Sequence, residues 1–147
     1  MKIVNRQAYY NYEIREKFEV GIVLSGGEVK SLKEEKGSLQ DSFVQIREGE
    51  AYLVNAHINP YKFAANNDYE PKRTRKLLLH KKEITFLLSK TKQGNLTIVP
   101  ISWYTSRRGT IKMELALARG KKQYDKREAL KNKDLDRETE QILRGKP

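Results

Sequence analysis

The sequence predicts a mainly β fold: a closed antiparallel barrel of six short strands, with short α-helices between them and a basic C-terminal tail. Three observations carry that expectation. Apolar and polar residues alternate in six separate short runs, the period of strands with one buried face. Breaks rich in Gly, Asn or Pro separate those runs. Large apolar residues thin out after position 118, where Lys and Arg become frequent.

Residues 8–24 read as a hairpin. Tyr10, Tyr12 and Ile14 share one side, opposite Asn11, Glu13 and Arg15; after a short turn Phe18, Val20, Ile22 and Leu24 repeat the alternation. Ser25-Gly26-Gly27 breaks the second strand, and Glu28 to Lys36 reads as a short helix ended by Gly37. Phe43 to Arg47 and Ala51 to Val54 are two further strands joined through Glu48-Gly49-Glu50. Asn59 to Pro71, with two prolines and paired asparagines, reads as a loop. From Lys72 the pattern turns helical: Leu77, Leu78, Ile84, Leu87 and Leu88 lie near one stripe, Lys90 and Lys92 suit the C-terminal dipole, and Gly94 stops the helix. The last hairpin pairs Leu96–Tyr104 with Ile111–Leu117 around Ser106-Arg107-Arg108-Gly109, and Pro100 demands an edge or a bulge. An oligonucleotide-binding-type barrel is the expected arrangement, and an α+β sheet packed by helices is the alternative. Residues 1–118 form the barrel; residues 119–147 form the tail.

Charge points to a polyanionic partner. Thirty Lys and Arg against nineteen Asp and Glu give a net charge of +11, a field that attracts phosphates. The tail has good helix propensity but only Leu130, Leu135, Ile142 and Leu143 to bury. Such a segment is expected to be disordered alone and to fold on its target. No cysteine is present, which excludes disulfides and thiolate metal sites. The start, Met1 to Arg6, lacks a signal-peptide core, and no apolar run approaches the roughly 20 residues of a membrane span. A cytoplasmic protein is expected.

Catalytic signals are weak. His57 and His80 are the only histidines, with no metal-ligand spacing around either. Ser25-Gly26-Gly27 lacks the register of a phosphate loop and reads as a turn. Binding signals are stronger. Lys72-Arg73-Thr74-Arg75-Lys76 is a tight basic cluster, and at a helix start it opposes the dipole, which suggests an outside anion. Arg107-Arg108 is a second cationic projection. Tyr9, Tyr10 and Tyr12 lie near Asn5-Arg6, a mix of ring and cation that suits bases and phosphates; Tyr10 and Tyr12 are equally suited to a core. Tyr124, alone among cations in the tail, is suited to base stacking.

These residues also carry a resemblance. Phe18-Glu19-Val20-Gly21-Ile22-Val23-Leu24-Ser25-Gly26-Gly27-Glu28-Val29-Lys30-Ser31-Leu32 resembles the signature of the SsrA-binding proteins, the partners of bacterial transfer-messenger RNA. The likeness continues through Asp41-Ser42-Phe43, Asn59-Pro60-Tyr61, Arg73 to Leu79 and Lys121 to Arg127. It implies an oligonucleotide-binding-type barrel without catalysis, cofactor or metal. It implies a cytoplasmic monomer that binds the tRNA-like domain of transfer-messenger RNA and delivers it, with elongation factor Tu and GTP, to stalled ribosomes. RNA-facing positions carried over from the family are Asn5, Arg6, Glu19 and Leu78, with His80 standing where Asn is frequent. The residue pattern adds Tyr10, Arg73, Arg75 and Lys76. In the tail, Lys121, Lys122, Tyr124, Asp125, Lys126 and Arg127 match the segment that meets the 16S ribosomal RNA decoding centre and the empty mRNA channel. Gln7 departs from the family, where a cation is usual. A general single-strand nucleic-acid-binding barrel is the second reading, and a metal enzyme built on His57 and His80 the third.

Overall fold

A computed structural model describes residues 1–65 and 68–121. Its centre is a seven-stranded, wholly antiparallel sheet. The strands are β1 (Lys2–Val4), β2 (Tyr12–Ile22), β4 (Phe43–Arg47), β5 (Glu50–Val54), β7 (Arg75–Leu78), β8 (Leu96–Thr105) and β9 (Ile111–Gly120), in the spatial order β1-β8-β9-β2-β7-β5-β4. Two short strands, β3 (Gly37–Ser38) and β6 (His57–Ile58), pair separately. Three helices complete the fold: α1 (Arg6–Asn11), α2 (Gly26–Lys33) and α3 (Lys81–Lys92). The main sheet thus has seven strands where six were expected, and β1 and β4 are its edges. The chain is mainly β with short helices, as the alternation implies.

The expected hairpin over 8–24 is instead a helix followed by one long strand. Ala8 is buried at 3 % exposure against Val99, Ile101, Ala116 and Ala118 of the sheet, and residues 6–11 coil around it as a helix. Strand β2 then runs without a turn, and the change of pattern near Arg15 is a bulge between Ile14 and Glu16. A bulge shifts side-chain phase by one residue, which a reading of alternation mistakes for a turn. The second correction concerns Lys72 onward. Residues 75–78 are strand β7, and helix α3 begins only at Lys81. Leu77 faces inward and Leu78 outward, as strand neighbours must.

The other hairpins fall where the pattern puts them. Strands β4 and β5 meet through Glu48 and Gly49, both at positive φ (51° and 75°), the backbone of a tight two-residue turn. Strands β8 and β9 pair along their length, with the register broken between Pro100 and Ser102. Proline has no N–H for the ladder, so the bulge sits where the donor is missing. Helix α2 starts with a reciprocal cap. The Ser25 hydroxyl accepts the Glu28 N–H (3.2 Å), and the Glu28 carboxylate accepts the Ser25 N–H (2.9 Å).

Trp103, Leu32, Leu53, Leu77, Met113 and Leu115 fill the core between the sheet and α2, each at most 1 % exposed. The opposite faces of β8 and β9 carry Val99, Ile101, Ala116 and Ala118, which pack beneath α1 around Ala8. Alanine at these positions lets the short helix lie close to the sheet.

Candidate nucleic-acid interface

The outward face of the sheet is set by register. Along β2, Lys17, Glu19 and Gly21 point to one side; their partners on β9 are Ala116, Glu114 and Lys112. Gly21 also faces Leu78 on β7. Leu78 is 55 % exposed, although a leucine at a strand centre is ordinarily buried. A Cβ on residue 21 would lie 3.2 Å from Leu78 Cδ1, so glycine there leaves the leucine room to lie flat. Around it lies an open groove of about 430 Å³ lined by Gly21, Glu50, Lys76, Leu78, His80 and Lys112.

Polar groups flank this apolar floor. The Tyr104 hydroxyl reaches across β9 and donates to Glu19 Oε2. Burial, then the hydrogen bond and charge of Glu19, push the Tyr104 phenol well above its ordinary range. Glu19 is paired opposite Glu114, and the Lys17 ammonium, 3.8 Å from Glu114, offsets part of that repulsion. Lys17 also donates to the Tyr9 hydroxyl at 2.8 Å. That hydrogen bond holds its pKa above the usual lysine value against partial burial. The chain from Tyr9 through Lys17 and Glu114 to Glu19 connects α1 to the Leu78 groove.

The expected RNA-facing residues divide into three groups. Arg6, Tyr10, Glu19, Lys76, Leu78 and His80 are exposed. His80 precedes α3, and its N–H donates to the Glu83 carboxylate at 2.9 Å. Lys76 pairs with Glu50 at 3.3 Å. Asn5 is different: it is 6 % exposed, donates its N–H to Ile101 O (2.7 Å) and its side-chain amide to Pro100 O (2.9 Å). The asparagine serves the β8 bulge, satisfying carbonyls that the broken ladder leaves open.

Arg75 requires a correction. Its side chain is fully buried and spent on internal partners: Nε donates to Glu28 Oε2 (2.7 Å), Nη1 to Ala56 O (2.8 Å) and Nη2 to Pro71 O (2.9 Å). Arg73 donates to the other Glu28 oxygen, Oε1, and remains partly exposed. Tyr69 donates to Ile58 O (2.9 Å) beside them. Burial alone raises the Glu28 pKa, but the bonds from Arg73 and the Ser25 N–H and the charge of Arg75 outweigh it and hold the carboxyl at about 2. The basic run therefore does not form one cationic patch. Strand alternation turns Arg75 inward and Lys76 outward, whereas a helix would have exposed both.

Lys121 lies at the end of the described chain, its N–H on Asn11 O (2.9 Å) and its ammonium on Tyr9 O (3.0 Å). It anchors the start of the tail against α1. Lys122, Tyr124, Asp125, Lys126 and Arg127 lie outside the described residues. His57 bonds Asn59 Oδ1 at 2.7 Å. Among the described residues no group of three His, Cys, Asp or Glu stands close enough to hold a metal. No helix among them is long and apolar enough to cross a membrane. Lys112, Tyr104 and Gly21 were not singled out from sequence. Lys112 alternates with Ile111 and Met113 in the sequence and so falls on the polar side of its strand, but the pairing that brings it to Leu78 is a long-range fact.

The SmpB protein family model matches residues 2–145. The chain belongs to the SmpB family. It is 54 % identical over 142 residues to the SsrA-binding protein of Sulfurihydrogenibium sp. (strain YO3AOP1), covering 97 % of this chain and 93 % of that one. It is 46 % identical over 147 residues to the SsrA-binding protein of Thermosipho melanesiensis, covering 99 % and 100 %. A solved chain from "tmRNA-SmpB: a journey to the center of the bacterial ribosome" superposes with a TM-score of 0.69 at 45 % identity, covering 88 % of this chain and 94 % of that one. Membership of the SmpB family confirms the resemblance carried by Phe18–Leu32 and the segments after it.

Proposed function

We propose that this chain binds tmRNA through its tRNA-like domain and delivers it to stalled ribosomes for trans-translation. The near full-length match to SsrA-binding proteins carries this reading; the solved relative is a tmRNA-SmpB structure of the bacterial ribosome. The outward face of β2, β7 and β9 is the RNA-facing side. Leu78 over Gly21 offers an apolar floor for a base or ribose, and Glu19, held by Tyr104, offers an acceptor for a base amino group or a sugar hydroxyl. Arg6 and Tyr10 extend that side along α1. No step of this function calls for a cofactor or a bond made by the protein, and the protein acts in the cytoplasm as a monomer.

Two finer points belong to the same reading. The sheet is a closed oligonucleotide-binding-type barrel whose seam lies between β4 and β8. In support, β4 packs near β8, and Gln7 bridges α1 to the segment before β4, donating to Asp41 Oδ1 (2.9 Å) and accepting the Asp41 N–H (2.8 Å). Gln7, the departure from the family's cation, thereby acts as a clasp. The tail beyond Lys121 enters the vacant decoding centre and mRNA channel, and elongation factor Tu with GTP accompanies delivery.

The test is competition binding at fixed moderate salt between the tRNA-like domain and an unstructured RNA of equal length. Strong preference for the folded RNA is expected. Equal affinity would make the chain a general single-strand binder.

A further inference from the structure

The register of the sheet lines up more than the family positions. Lys112 on β9 faces Gly21 on β2, and Gly21 faces Leu78 on β7. On the other side of Leu78, Glu50 of β5 lines the same groove, and Glu50 faces Arg47 on β4. These five residues form a single row running across five strands, at right angles to them. Neighbouring strands are about 4.8 Å apart, so Lys112 and Arg47 stand about 10 Å from Leu78, one on each side, along the sheet surface.

The row has the chemistry of a backbone track. Its centre is apolar and low: glycine at one position and an exposed, flat-lying leucine at the next. Its two ends are cations. The Arg47 guanidinium lies 4.9 Å from the Tyr52 ring centre, a contact that leaves its charge unneutralised. The one anion in the row, Glu50, is paired to Lys76 at 3.3 Å. A single acidic residue, neutralised by Lys76 from the next row, between two outlying cations suits a partner that alternates charge with apolar surface.

We propose that this row carries one strand of the bound RNA across the sheet, with Lys112 and Arg47 each holding a phosphate and with Leu78 over Gly21 as the floor beneath the sugar or base between them. The proposal rests on the RNA-binding reading of the Leu78 groove and adds Lys112 and Arg47 to it. The strand thereby reaches β4 and β5, away from Glu19 and α1.

Salt dependence tests this. The full-length protein and its Lys112→Gln, Arg47→Gln, Leu78→Ala and Lys33→Gln variants are titrated with the transcribed tRNA-like domain over a potassium chloride series. Each lost phosphate contact flattens the slope of log K against log salt by about 0.7 to 0.9. That loss is expected for Lys112→Gln and for Arg47→Gln, additively in the double variant. Leu78→Ala is expected to weaken binding with the slope unchanged. Lys33→Gln, an exposed cation on α2, is expected to match the wild type, with thermal midpoints equal across the charge variants. Unchanged slopes for Lys112→Gln and Arg47→Gln beside a weakened Leu78→Ala would overturn the track and leave the groove standing. An equal loss of slope for Lys33→Gln would also overturn it, by making the effect one of total charge. Wild-type binding by Leu78→Ala would remove the groove itself, and the track with it.

Discussion

Glu28 is the residue on which the most internal order depends. Its carboxylate caps α2 at Ser25, pairs with Arg75 from β7 and Arg73 beyond it, and lies in the core at 1 % exposure. A buried ion pair is weak evidence of net stabilisation, but breaking one leaves an uncompensated charge, at a cost of about 3 to 5 kcal/mol. Arg75→Met is therefore expected to lower unfolding free energy by about that amount in urea titration. A loss below about 1 kcal/mol would mean that water enters and solvates Glu28. The same carboxyl makes stability depend on pH. Its folded pKa, about 2, lies below the ordinary value of 4.5, so the folded state binds its proton less readily than the unfolded one. The stabilisation is complete above pH 4.5 and is lost as pH falls through 2, a total of about 3 kcal/mol. Glu28→Gln removes this titration, so its stability is expected to fall less steeply over that window than the wild type's.

At the scale of elements, the tight point is Gly37 on β3. A Cβ there would lie 2.6 Å from Leu32 Cδ2 and 3.0 Å from Trp103 Cζ3. The small β3–β6 sheet thus closes directly over the helix α2 core, and Gly37→Ala is expected to cost about 1 to 3 kcal/mol by overpacking. A variant as stable as the wild type by thermal denaturation would show that Leu32 swings aside freely. Gly37 was legible in sequence as a helix stop, but its packing role was not, since Leu32 and Trp103 meet it only through tertiary structure. The same boundary separates the other readings. The β4–β5 and β8–β9 hairpins were legible because their signals are local: a turn at Glu48-Gly49 and a bulge at Pro100. Helix α2 was legible too, but Ser25-Gly26-Gly27 reads as a break, so its start was expected at Glu28 and its serine cap went unseen. Strand β7 was not, because Leu77 and Leu78 fit the helical stripe of the true helix that follows at Lys81. Helix α1 was missed because six residues are too few for a 3.6 period to outweigh alternation. For the site, Leu78, Glu19 and Arg6 came from a family likeness and lie exposed. Arg75 was misplaced by the same helix error, and Lys112 was hidden by a pairing that composition does not encode.

At the scale of the molecule, the tail contributes less charge than its appearance suggests. Residues 122–147 hold eight Lys and Arg against six Asp and Glu, so most of the +11 belongs to residues 1–121. The attraction that brings the chain to RNA should therefore survive loss of the tail. Where the cut is made matters. Strand β9 continues past Ala118: Arg119 binds Glu13 Oε2 at 2.6 Å, and Lys121 holds Asn11 and Tyr9 of α1. A chain ending at 118 would lose the last two pairs of the β2–β9 ladder, Glu13 with Arg119 and Tyr12 with Gly120, together with that clamp. A chain ending at Lys121 keeps both. Truncation after Lys121 is expected to leave the melting temperature and the affinity for the tRNA-like domain unchanged, while abolishing peptide tagging on stalled ribosomes in a reconstituted assay. Truncation after Ala118 is expected to melt earlier. If the chain ending at Lys121 bound the isolated RNA markedly more weakly, the tail would be part of the RNA site, and the division between a body that reads folded RNA and a tail that reads the ribosome would fall.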